Sequence, residues 1–238
     1  MNIAISLALA VVPALLIVYY ISRKDRFRPE PRGSVFRIFL LGIATTVPAI
    51  IIELLLEEID LLQTPARVLY PAFKAFVVTG FVEESLKLFV VMRYAFRKNY
   101  FNEVMDGIVF TVAAGMGFAC LENVLYVLGK GISVGILRAF TSVPMHAAAS
   151  VIMGYYIGKA HFSIGGKRRL LVAKGFLLAV LFHGLYNLSI FGMPYWTPLT
   201  VLGLIPVLVI AIAMAVKKIR RALKDDDILL KPAGGTSV

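Results

Sequence analysis

Four long apolar segments each carry polar residues at helical-turn spacing: Glu83, Glu84 and Lys87 in GFVEESLKLFVV, Glu122 with Asn123, one turn after Phe118, in GFACLEN, His146 and Ser150 in PMHAAAS, and His183 and Asn187 in FHGLYN. Residues at i and i+4 share a helix face, so each segment can turn its polar groups toward one common interior. Ionisable groups in apolar spans are costly and by default mark a functional site. The set suits hydrolysis, which needs a water, a base to deprotonate it and donors for the developing oxyanion. Glu83 can serve as the base. Glu84 or Glu122 can orient the water or donate a proton, and a histidine with Asn187 can supply the oxyanion donors. Glu83, Glu122, His146 and His183 also match a zinc ligand set, in which the metal lowers the pKa of its bound water. Both routes are open from the sequence.

Glu83 and Glu84 are adjacent, about 100° apart on a helix, so one can act directly while the other orients a partner. Lys87 lies within a turn of both and can neutralise one carboxylate, which lowers the cost of burying two acids. Asn123 and Asn187 are supporting polar groups. Other intramembrane chemistries lack their signatures: there is no HExxH and no GxGD, and Ser150 has no glycine-rich elbow.

The elements that must position these groups are membrane spans. Of 238 residues, 59% are hydrophobic, and the mean hydropathy is +0.84. A soluble domain of this length cannot hide so much apolar surface. With about 20 apolar residues per crossing, the chain reads as an all-α polytopic transmembrane helical bundle of about seven to eight spans. Seven can be placed, at 2–21, 34–56, 71–92, 106–128, 134–158, 170–191 and 197–216, with room for a re-entrant turn near 129–137. Pro144 falls inside the fifth and is expected to bend it. Residues 1–220 form the expected transmembrane domain and 221–238 a cytoplasmic tail. Cys120, the single cysteine, lies in the fourth span and reads as a small packing residue. The start MNIAISLALAVV lacks the basic region of a cleavable signal, so the first span is expected to stay in the mature protein.

Charge orients the bundle. Most of the 25 basic residues sit in alternate connections: Arg23 to Arg32, Arg93 to Lys98, Lys159 to Arg169, and the tail from Lys217 to Lys231. The opposite connections hold the acidic run Glu57, Glu58 and Asp60 with a few bases such as Arg67. By the positive-inside rule the N-terminus is outside and the C-terminus cytoplasmic, in a multi-pass cell-membrane protein. The net charge of +11 then meets anionic lipid rather than nucleic acid. Measured at about 1.5 Å per residue, Glu83 and His146 lie about 18 Å, His183 about 12 Å and Glu122 about 9 Å below the outer ends of their spans. The cluster therefore sits between the bilayer midplane and the outer leaflet. His161 falls in a basic loop and reads as surface.

The order EExxK, FxxxEN, a histidine span and HGLYN, with FRPEP after the first span, resembles the PrsW family of bacterial intramembrane proteases. It is more distantly similar to the CAAX prenyl endopeptidases and CPBP proteins. The resemblance implies that Glu83 and Glu84 are the essential acidic pair and that His183 and Asn187 form an oxyanion site. Glu122 stands where the CAAX enzymes have a histidine, which implies that His146 supplies the imidazole. It also implies first-site cleavage of a membrane-tethered protein such as an anti-sigma factor, on its extracytoplasmic side, during envelope stress. Two rivals compete with this reading. One is a proton- or ion-coupled transporter, since buried Glu, His and Lys also build relays. The other is a CPBP-type prenyl-peptide protease or scaffold.

Overall fold

A hydrocarbon environment offers backbone groups no partner, so apolar runs this long must satisfy their own hydrogen bonds as helices. The computed structural model describes residues 3–58 and 69–230, and these are helical almost throughout. Asp60, Arg67 and Lys231 lie outside the described residues. The helices are α1 (Ile3–Lys24), α2 (Arg32–Glu57), α3 (Tyr70–Phe73), α4 (Val82–Tyr94), α5 (Val104–Lys130), α6 (Ile132–Phe140), α7 (Ser142–His161), α8 (Gly165–Phe191) and α9 (Leu204–Leu230). A π-helical segment, Lys74–Phe81, joins α3 to α4 without a break, and a 3₁₀ turn, Pro198–Gly203, leads into α9.

Six of the described segments are long and apolar enough to cross a membrane. The expected seventh, 71–92, is helical as well, but it concentrates Glu83, Glu84 and Lys87 in one stretch. The chain is thus an all-α, multi-pass membrane bundle. α5 is its axle: 94% of an apolar 18-residue stretch of it is buried, against 17% for the corresponding stretch of α1. The outer helices turn Leu, Ile, Val and Phe side chains outward, as a lipid-facing surface does.

Close packing without a hydrophobic driving force depends on small residues. Where α5 meets α7, a Cβ on Gly107 would strike the carbonyl of Gly154 and one on Gly154 the carbonyl of Gly107, while a Cβ on Gly158 would strike the Val104 carbonyl. The two backbones touch there, and no side chain fits between them.

Three features depart from the sequence reading. The span expected at 134–158 is two helices, α6 and α7, broken at Thr141. Pro144 therefore bends nothing: it is the third residue of α7, where the backbone N–H has no helical partner to lose. The turn between α5 and α6, by contrast, falls at Gly131 inside the 129–137 stretch where the sequence leaves room for one, and its φ of 88° is readily adopted only by glycine. α9 runs past 220 to Leu230, and Asp226 accepts from the backbone N–H groups of Val104 and Met105 at 2.6 and 2.9 Å, capping α5. His161 is partly covered, its ring lying 4.9 Å from that of Phe101.

Gly154→Leu forces α5 and α7 apart and is expected to lower stability by about 1–3 kcal/mol. Thermal unfolding in detergent reads this, and unchanged stability would show that the two backbones are not in contact.

Candidate active site

The π-helical segment widens the turn immediately before the paired glutamates, and such segments are frequent at functional sites. Gly80 lets it lie close to α8, with a Cβ position 3.6 Å from the Gly184 nitrogen. α4 then projects Glu83, Glu84 and Lys87 inward, and all three are almost wholly buried. Lys87 Nζ lies 3.2 Å from Glu83 Oε2 and 2.8 Å from Glu84 Oε1. It also lies 3.0 Å from His146 Nδ1 on α7 and 4.6 Å from the centre of the Phe118 ring on α5.

The two histidines are held alike. His146 Nε2 lies 2.9 Å from Glu122 Oε2, and His183 Nδ1 lies 2.9 Å from Glu84 Oε1. An ammonium only donates and an ionised carboxylate only accepts, so these partners fix the tautomers. His146 carries its proton on Nε2 and presents a lone pair from Nδ1; His183 carries its proton on Nδ1 and presents a lone pair from Nε2. Each lone-pair nitrogen is 3.9 Å from Glu83 Oε2. Glu122 is in turn gripped by Arg138 at 2.8 Å, and Asn123 accepts from Arg138 Nε at 3.2 Å.

Glu83, Glu122, His146, His183 and Asn187 line one cavity of about 830 Å³. Its mouth lies near Glu57 and Lys74, an ion pair at 2.7 Å. Glu84 and Lys87 stand behind this wall, and Glu84 orients His183. The 100° between neighbouring residues therefore separates a cavity-facing glutamate from a supporting one. Asn187 Nδ2 is buried without a hydrogen-bond partner, which leaves its donor for a guest in the cavity. Asn123 supports Arg138 and is not part of the cavity wall. Ser150 is fully buried against Gly115, away from the wall.

Two cavity residues escaped the sequence reading. Arg138 reads as a loop base and Glu53 as a lone charge in an apolar span, and neither has a partner at helical spacing. Glu53 lines the cavity with one carboxylate oxygen buried and unpaired.

The profile of the PrsW family of intramembrane metalloproteases matches residues 30–216. The chain belongs to the PrsW family. Protease PrsW of Geobacillus kaustophilus is 36% identical over 186 residues, covering 78% of this chain and 80% of its own. Protease PrsW of Bacillus subtilis is 34% identical over 186 residues, 78% and 83% of the two chains. Protease PrsW of Shouchella clausii is 31% identical over 219 residues, 92% and 97% of the two. No solved structure matches. Membership in a protease family decides for an intramembrane protease over an ion-coupled transporter.

The PrsW family description implies a metal, and the residues fit one. Ligand atoms of Glu83, His146 and His183 all lie within 4.8 Å of one another. Two histidines and a glutamate form a known catalytic zinc set. Each imidazole already donates its other ring N–H to a carboxylate, the second layer that such ligands use. Glu53, Glu57, Glu83 and Glu122 line the cavity beside Lys74, Lys130 and Arg138, with Glu84 and Lys87 paired behind it.

Removing Lys87 leaves Glu83 and Glu84 buried without their cation. Lys87→Met is expected to destabilise the protein by about 3–5 kcal/mol, with Glu84→Gln in the same chain restoring part of the loss. Unfolding in detergent reads both, and wild-type stability in Lys87→Met would contradict the buried ion triad.

Proposed function

We propose that this PrsW-family protease hydrolyses a peptide bond of a membrane-tethered protein at a zinc centre held by Glu83, His146 and His183. One observation carries the reading: two imidazoles, each fixed by its own carboxylate, bring their other ring nitrogens to 3.9 Å from the same oxygen of Glu83, and a metal there would replace Lys87 as the partner of His146 Nδ1. Bound zinc supplies a water of lowered pKa and polarises the scissile carbonyl.

The side chains perform the remaining work. Glu84 and Glu122 hold the imidazoles in their tautomers and orientations. Lys87 balances the charge of Glu83 and Glu84 in an apolar bundle. Asn187 offers its unpaired amide N–H to the oxyanion as charge develops on the attacked carbonyl. Glu53, with a free oxygen in the same cavity, can take a proton from cavity water.

The exposed lining residues Glu57, Gly129 and Lys130 lie at the ends of α2 and α5, opposite the basic connections. With the basic connections in the cytoplasm, this end faces outward. A single-pass substrate cleaved on its extracytoplasmic side suits that placement, and an anti-sigma factor cut in the first step of an envelope stress response is the substrate we propose.

The test uses protein in lipid vesicles with a single-pass substrate. Glu83→Gln and His183→Ala are each expected to reduce cleavage at least about 100-fold, with insertion and folding retained. Chelation is expected to abolish wild-type cleavage, and zinc to restore it. Cleavage that survives chelation, or full activity in either variant, would overturn the metal reading.

A further inference from the structure

At the opposite end of the bundle, about 24 Å along α5 from Glu122, four carboxylates converge from separate stretches of chain. Asp25 and Glu30 come from the α1–α2 connection, and Glu103 and Asp106 from the start of α5. Asp25, Glu103 and Asp106 are no more than 3% exposed, and a ligand oxygen of each lies within 4.8 Å of the others.

Backbone donors hold one oxygen of each aspartate and leave the other free. Asp106 Oδ2 accepts from the N–H groups of Asn102 and Glu103 at 2.6 and 2.7 Å, and Asp25 Oδ2 accepts from that of Glu30 at 3.2 Å. Asp25 Oδ1, Asp106 Oδ1 and both carboxylate oxygens of Glu30 are buried and, among the described residues, accept from no backbone or basic donor; their only side-chain partners are the other acids, Asp25 with Glu103 and Glu30 with Asp106. Among the described residues no lysine or arginine pairs with any of these acids. Arg28, the base acting on Glu103, donates to Asn102 instead, at 3.4 Å. Burial and then the charge of Asp106 push Asp25 up to about 7, and burial and then Asp25 push Glu103 up to about 7. Unpaired buried carboxylates cost free energy that a cation would recover.

We propose that Asp25, Glu103 and Asp106 bind a hard divalent cation of the magnesium or calcium class, with Glu30 closing the site. Oxygen-only donors select such ions over zinc, which prefers nitrogen and sulfur. The ion fastens the α1–α2 connection to the start of α5, where Asp226 of α9 already caps the helix. It is a structural clamp, separate from the zinc centre.

The probe is Mn²⁺, followed by electron paramagnetic resonance on the full-length protein in detergent with zinc at saturation. Wild type is expected to bind one Mn²⁺, displaceable by Mg²⁺ or Ca²⁺. Glu83→Gln is expected to bind it equally well, and Asp25→Asn/Glu103→Gln at least tenfold more weakly. The Tm of wild type is expected to rise by several degrees with Mg²⁺ or Ca²⁺, and that of the double variant to stay put. If the double variant does not fold, wild type still decides. One displaceable Mn²⁺ with a raised Tm supports the site, and no bound Mn²⁺ or an indifferent Tm overturns it. Loss of the Mn²⁺ signal in Glu83→Gln would place the ion in the catalytic cavity and also overturn it.

Discussion

The buried ammonium of Lys87 is the interaction on which the rest of the structure depends. Two adjacent carboxylates in the middle of an apolar bundle are tolerable only when a positive charge sits between them. Lys87 meets Glu83, Glu84 and His146 at 2.8–3.2 Å, which ties α4 to α7, and Glu84 then ties α4 to α8 through His183. Glu122 and Arg138 repeat the device across α5 and α6. The charges of Glu83, Glu84 and Lys87 pair within α4, and Lys87 and Glu84 each reach a histidine on another helix. Helix positions, tautomers and ligand directions are therefore set together.

Much of this was legible in the sequence because helical spacing and apolarity act locally. The pairs Glu83 with Lys87 and His183 with Asn187 announce a polar face on an otherwise apolar helix, and the 100° between Glu83 and Glu84 separates their roles. Other features depend on tertiary contact and leave no local trace. Arg138 and Glu53 are solitary charges whose meaning comes from what α5 and the cavity bring to them. The break at Thr141, in the stretch RAFTSVPMH, is held by Tyr186, whose hydroxyl donates to Thr141 Oγ1 at 3.0 Å. The π-helical turn ahead of Glu83 reflects how closely Gly80 approaches α8. The extension of α9 past 220 is anchored by Asp226, which reads from sequence as one acid in a charged tail.

The two ends of the bundle solve one electrostatic problem in different ways. In the cavity, acids are balanced by Lys87 and Arg138 and by nitrogen ligands suited to zinc, which leaves an open side for substrate. At the basic end, acids crowd together without paired bases, and backbone donors hold one oxygen of each aspartate. α5 connects the two. Its buried length, packed glycine against glycine on α7, keeps both clusters in register with the surrounding helices.

The most direct test of the central claim is zinc K-edge X-ray absorption on the purified protein in lipid, comparing wild type with His183→Ala. A centre held by Glu83, His146 and His183 predicts nitrogen and oxygen ligands at about 2.0–2.2 Å, two of them imidazoles, with no sulfur. In the variant one imidazole contribution is lost. A sulfur shell, or an unchanged spectrum in the variant, would contradict the ligand set.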